Sequence, residues 1–488
     1  VNVRTPVALA LCALLVLAGC ATAPTDDPGL SSANAPPDPP SDRLGWEHGY
    51  WYNESLPITP GDGLNATEQR AVVHRAMARV EHLRKVEFTR DVPVKVISRE
   101  TYRNATAGGG SGGGGGGSSA SATFADARYE ALFLVGEGGS GSEQSSENTA
   151  SSVLGYYSPG ADSIVIVSES KTPMIDERTL GHELVHAVQF RNFDMGFGGS
   201  TMEARSASFG LVEGDAELVS QTYDAHCGDD WQCVEPASSG DSAGDGGDSA
   251  GGGSIHFGIY FTQYFPYSDG PDFVRSIRAQ GGWDAVNALY DDPPASAEQV
   301  ALPSKYEVDP PTDVSLADRT AGDWERVVPQ GRAPYGEFGV AGLTGMFAYT
   351  AYDDSMDAKP VLSQRDFLNV DPDGHVNGTD PIDYTTKPVD GWDGDELHVY
   401  RNDAGELGYV WKLVWDSEGD AREFADTYRA LLHYWGANSV ENGVYRIPAG
   451  ASSFADAFYV SVDGTTVTIV NAPTVDGLDG VRTGTPTS

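Results

Sequence analysis

Apolar residues recur every third or fourth position at several places in the chain. Each such stretch predicts a helix with one packed side. From Glu68 to Val86 the stripe is Val72, Met77, Val80 and Leu83, with Thr67 as the expected cap. Ile175-Asp176 introduces the next helix, with Asp176 as cap and Leu180, Leu184, Val185 and Val188 as its packed side. A third helix follows the turn-rich NFDMGFGGS, with Phe209, Val212, Ala216 and Val219 inward. SIHFGIYFTQYFPY, the stretch from Tyr335 to Tyr349, and EGDAREFADTYRALLHYWG also read as helices, the last with Phe424, Tyr428, Leu431 and Leu432 inward.

Short β-rich runs predict strands. They are Val94 to Ile97, entered through Pro93, and Ser163 to Val167, led in by a turn-like Gly155 to Gly160. Further on come GWDGDELHVYRND, YVWKLVWDS, GVYRIPA and FADAFYVSVDGTTVTIVNA, with Asp463-Gly464 as a hairpin turn. Ala125 to Leu134 fits either element. Three low-complexity runs predict surface loops: Gly108 to Gly117, GEGGSGSEQSSENTASS, and Ser238 to Ser254. Their many backbone polar groups would be costly to bury. The sum is an α+β chain. A mostly helical core spans 44–330, a smaller C-terminal α+β module spans 331–475, and 476–488 is expected to be a disordered tail.

The first twenty residues read as an address. Arg4 precedes an apolar run from Val7 to Ala18 that is short for a membrane span. It ends in Leu17-Ala18-Gly19-Cys20, which resembles a lipobox. The expectation is a signal peptide over 1–19, lipid on Cys20, and a Pro/Ser/Asp-rich tether over 20–43; a plain secretory signal is the alternative. No later segment resembles a membrane span, so a lipid anchor would hold the mature chain on the extracellular face of the membrane. Cys227 and Cys233, close together in HCGDDWQC, predict a small-loop disulfide in an exported protein, with a metal role as the alternative. Sequons at Asn53, Asn65, Asn104 and Asn377 permit glycosylation.

Charge narrows the partners. Of 488 residues, 71 are acidic and 31 are Lys or Arg, for a net charge of -40. Such a surface repels nucleic acid, which is excluded as a partner. It resembles the acidic surfaces of proteins from very salty media, where screening reduces self-repulsion. Hydrophobic residues make up 40% of the chain, enough to argue for a folded core rather than disorder.

The chemistry centres on HELVHAVQF. His182 and His186 lie one helical turn apart, so their imidazoles project together and can share one Zn²⁺. Glu183 is angularly displaced and can take a proton from water instead of binding metal. A catalytic zinc wants three protein ligands. LVEGDAELV offers Glu213, with Gly214 and Ala216 expected to let it approach the first helix. Glu217 or Asp215 would then hydrogen-bond a ligand histidine, and the roles of Glu213 and Glu217 are exchangeable. An oxyanion needs a stabiliser, for which His256 and Tyr260 are the candidates, along with Tyr264, Tyr156 and Tyr157. Packing aromatics with one polar edge are the plainer alternative for each. Ser163 to Val167 is the candidate edge strand for binding an extended peptide.

GYYSPGADSIVIV, HELVHAVQF, LVEGDAELV, FPYSDGPDFVRSI and GGWDAVNALYDDPPASAEQV, in that order from Gly155 to Val300, resemble the haloarchaeal surface lipoproteins called the Hvo_1808 family. They are also similar to a wider set of bacterial zincin-like proteins. The resemblance implies a zincin-like core, a surface location with lipid attachment, and metallopeptidase activity on a peptide or protein. It matches His182, His186 and Glu213 to the metal positions and Glu183 to the base. The bacterial proteins carry a His-Pro pair after PPxSxEQ; here Leu302-Pro303 follows Ala301. A zinc-dependent endopeptidase is the leading expectation. A non-catalytic surface binding or scaffold lipoprotein is the alternative, and hydrolysis of a non-peptide bond a third class.

Overall fold

The computed structural model describes residues 38–58, 63–109, 119–168, 175–234 and 255–487. The expected signal peptide, Cys20, most of the tether, most of the glycine run and the 238–254 patch lie outside the described residues. In chain order come β1 (Trp46–Glu47), β2 (Tyr50–Trp51), α1 (Ala66–Arg84), β3 (Val94–Ser98), α2 (Arg99–Gly109), α3 (Ser119–Ala131) and α4 (Gly141–Ser152). Then follow β4 (Gly155–Ser158), β5 (Ser163–Ser168), α5 (Glu177–Asn192), α6 (Met202–Cys227), α7 (Phe257–Ser268), α8 (Gly270–Ala288) and α9 (Ala297–Ala301). The rest are β6 (Glu325–Arg326), α10 (Gly339–Ala348), α11 (Gln364–Phe367), β7 (Trp392–Arg401), β8 (Leu407–Trp415), α12 (Glu418–Tyr434), β9 (Asn438–Ser439), β10 (Val444–Arg446), β11 (Ala457–Asp463), β12 (Thr466–Ala472) and α13 (Leu478–Val481). The chain is α+β and divides into two compact units that are discontinuous in sequence. Among the described residues no helix is long and apolar enough to cross a membrane.

The first unit takes residues up to 105, 153–193 and 219–246. Its α1 buries Val72, Met77, Val80 and Leu83, as the stripe predicts. Asn65 caps it, not Thr67: the Asn65 side chain accepts from Thr67 N and Glu68 N, and Glu68 closes a capping box. Thr67 is already inside the first turn, where its own N–H needs a partner. The apolar stripe gave no warning that α1 also buries Arg75, Arg79 and Arg84 completely. Glu177, 1% exposed, answers the first two, at 2.8 Å from Arg75 Nη2 and 3.3 Å from Arg79 Nη1. Cys227 and Cys233 are bonded, as expected. Their loop lays Trp231 over the Arg79 guanidinium and offers it the Gln232 carbonyl.

A three-stranded sheet completes this unit, in the order β3-β5-β4. β5 pairs with β3 in parallel and with β4 antiparallel. Ser163 to Val167 is therefore a central strand, which corrects its expected edge position. Its parallel partner comes from about seventy residues upstream, a non-local pairing that no local period reveals. The edge is β4, drawn from the stretch read as a turn-like lead.

The second unit takes 106–152, 194–218 and residues from 247 onward. It holds a seven-stranded antiparallel sheet in the order β6-β7-β8-β12-β11-β10-β9. The predicted hairpin closes with Asp463 opposite Thr466 and Gly464 at φ +58°. Ser417 caps α12, which buries Phe424, Tyr428, Leu431 and Leu432. On the other face, by strand alternation, Tyr400, Val410 and Val470 pack with Leu478 and Val481 of α13. The expected disordered tail is thus ordered as far as α13; two apolar side chains reaching the sheet suffice, though the segment's composition is that of a loop.

Two more expectations are corrected here. GSEQSSENTASS forms α4 rather than a loop, held by Asn148, whose side chain exchanges two hydrogen bonds with the backbone of His256. Phe209 is exposed, because neighbouring positions do the packing at that end of α6: Leu211 is buried, and Gly210 lies under Val300. Deep in this unit, Asp395 of β7 accepts from Phe338 N, Gly339 N, Trp392 Nε1 and Trp411 Nε1, all between 3.0 and 3.2 Å. It thereby ties the start of α10 to the sheet.

Candidate metal centre on helix α5

Asp176 caps α5, accepting from Arg178 N, and Glu177 fixes the first turn through the two buried arginines. Leu180, Leu184, Val185 and Val188 are fully buried, so the helix is clamped along one side. Gly181 lets Tyr223 of the same unit press close; a Cβ there would stand 3.0 Å from its ring. This frame leaves little freedom to the next face round, which carries His182 and His186.

Their Nε2 atoms face each other at 3.2 Å, with the rings nearly perpendicular. Two imidazole nitrogens bound about 2.05 Å from one tetrahedral zinc would be about 3.3 Å apart. His186 is 9% exposed, and its Nδ1 stands 2.7 Å from Oε1 of the fully buried Gln189. That contact puts the ring proton on Nδ1 and turns the Nε2 lone pair toward His182. The donor set fits a zinc-class ion.

Glu183 is buried beside the first histidine and backs onto the edge strand. A Cβ added at Gly155 of β4 would lie 3.2 Å from Glu183 Cγ and 3.0 Å from Thr179 Cγ2. The glycine thus lets the strand run close along the helix. Tyr157, on the same strand, donates its hydroxyl to Asp162 at 2.6 Å, and Asp162 also pairs with Arg191. Tyr156 turns to the other face, near Tyr102.

Glu213, Asp215, Glu217, His256 and Tyr260 lie in the second unit. Glu213 and Glu217 are half-buried on α6. Gly214 meets the backbone of Gly270, where a Cβ would come within 2.4 Å; that packing within the second unit accounts for the glycine. Asp215 is fully buried and accepts from the Tyr290 hydroxyl at 2.7 Å. His256 caps α7, its Nδ1 accepting from Ile259 N, and its ring stacks on Tyr349. Burial lowers its pKa. Tyr260 stacks on Tyr264. Both candidate oxyanion stabilisers therefore have structural work. Of the sequons, Asn53, Asn65 and Asn104 are exposed and Asn377 is half-buried.

Sequence reasoning missed Gln189 and Glu177. The signal for Gln189 was present: a carbonyl-bearing side chain one turn after a ligand histidine.

Residues 325–482 match the family model described as Domain of unknown function (DUF8575). That range runs from β6 to just beyond α13, so it covers the seven-stranded sheet and its last helix. No curated protein and no solved structure matches the chain.

Proposed function

We propose that this protein is a zinc-dependent hydrolase of the cell surface, an endopeptidase with a zincin-like core. The observation that carries the reading is the pair of facing Nε2 atoms on α5, with Gln189 setting the tautomer of His186. His182 and His186 would hold one ion per chain, with Glu213 as the proposed third ligand. Zinc bound there would polarise a substrate carbonyl and bring the pKa of a water toward neutrality. Glu183 is the general base, accepting a proton from the attacking water and passing it to the leaving amine. Edge strand β4 is where an extended peptide would add its backbone to the sheet. Lipid on Cys20 would keep the enzyme on the outer face of the membrane.

The test is elemental analysis beside a peptide-library assay, both in high salt. His182→Ala should lose one equivalent of zinc. Glu183→Gln should keep its zinc and lose hydrolysis. Unchanged zinc in the first variant would sink the site, and unchanged hydrolysis in the second would sink the base. Full zinc with no turnover on broad peptide pools would instead favour a surface binding protein.

A further inference from the structure

A second group of ligand-type side chains converges in the first unit, built from other elements. His48 sits at the turn of the β1–β2 hairpin, where it and Gly49 both take left-handed conformations, at φ +47° and +93°. Such a pair forms a tight hairpin turn of the I′ kind. His74 projects from α1, and its ring stacks on His48 with centroids 4.4 Å apart. Asp91 comes from the link between α1 and β3, a link held down by Arg191, which donates to the carbonyls of Arg90 and Asp91. Asp91 Oδ1 lies 2.6 Å from His48 Nε2 and 3.5 Å from His74 Nε2. One ligand atom from each of the three residues lies within 4.8 Å of the others.

Three polar side chains on a surface can be no more than an ion-paired cluster. A separate observation argues for a ligand. Glu47, next along the hairpin, is only 4% exposed, and its Oε2 points at His48 Nε2 from 3.6 Å. Its Oε1 is buried, and its carboxyl is hydrogen-bonded to the carboxyl of Glu81. The Glu81 carboxylate lies beside it, itself engaged by Gly45 N and Phe88 N. Two carboxyls buried against each other cost free energy that a shared proton or a bound cation offsets.

We infer that His48, His74 and Asp91, with Glu47 beside His48, form a second divalent-metal site, of the zinc class, that clamps the N-terminal hairpin to α1. Two imidazoles and a carboxylate suit zinc better than magnesium or calcium, which prefer all-oxygen shells. The role is plain from the hairpin itself: its strands are two residues each, and a hairpin of that size is marginal without further support.

The test uses the purified chain in high salt, with His182→Ala and His186→Ala combined so that α5 cannot contribute. Zn²⁺ is titrated against a chromophoric chelator, and thermal unfolding is followed with and without added Zn²⁺. The double variant should bind one equivalent and melt higher in zinc. Adding Asp91→Asn, at an exposed position that leaves the circular dichroism spectrum unchanged, should abolish both effects; His74→Gln should do the same. A double variant that binds no zinc, or binding that survives Asp91→Asn, overturns the proposal. The catalytic reading of α5 is tested separately, since its failure would leave this equivalent in place.

Discussion

Replacing Gln189 with leucine asks whether His186 is aimed from behind. Gln189 is fully buried and offers His186 Nδ1 an acceptor at 2.7 Å. Leucine is close in size, so the cavity left is small. What disappears is one buried hydrogen bond, and a ring N–H stripped of its acceptor costs about 1–3 kcal/mol. Without zinc, the imidazole can change tautomer or rotate to escape that cost. Binding zinc through Nε2 forces it back. The penalty therefore falls on metal affinity, which should drop roughly 5- to 150-fold, in line with the roughly 10- to 100-fold typical when the partner of a ligand histidine is lost. The assay is competition with a chromophoric chelator near neutral pH, with Asp91→Asn in every protein compared so that the hairpin site is removed. Gln189→Glu is the control: it restores an acceptor and should bind at least as tightly as glutamine. A leucine variant within twofold of the parent would refute the claim that this hydrogen bond sets the geometry.

Two further outcomes follow from buried charges. Glu177→Gln keeps the shape but leaves Arg75 and Arg79 buried with no counter-charge; stability should fall by about 3–5 kcal/mol, read from chemical denaturation. A loss below about 1 kcal/mol would show that the backbone carbonyls around those guanidinium groups suffice. Glu203 is held up to about 8 by burial above all, and its Oε2 meets no donor. Its folded pKa exceeds its unfolded value of 4.5, so the native chain retains a proton that the unfolded chain releases. Its contribution should therefore decline by about 1.4 kcal/mol per pH unit as pH rises from about 4.5 to about 8. Glu203→Gln should flatten the stability profile by that slope, and parallel profiles would contradict the assignment.

What could be read in advance was local. The cap at Asp176, the histidines one turn apart, the stripe of α12 and the Asp463-Gly464 hairpin all depend on neighbours within a few residues. What escaped depends on distant partners. α4 has no apolar stripe and is pinned by one asparagine to the backbone of His256. The place of β5 in its sheet is set by a strand far upstream. Arginines 75 and 79 look like solvent-facing helix residues until Glu177 is known to lie against them. Gly214 packs against the backbone of Gly270, a neighbour far along the chain. At the candidate site, residue types and spacing gave His182, Glu183 and His186, whereas the neighbour that orients His186 required coordinates.

Asp395 has a consequence for recognising relatives. It is a single acceptor answering four donors, drawn from a loop end, a helix start and two tryptophans. No other residue type offers two acceptor oxygens with a charge at that length, and losing any one tryptophan leaves the others in place. Divergence should therefore wear away the surrounding apolar letters long before it touches the acid. A tryptophan three residues ahead of an aspartate on one strand, a tryptophan on the next strand, and a glycine opening a helix some fifty residues earlier make up a compact signature. Chains too far diverged for whole-sequence matching could still be sorted by it.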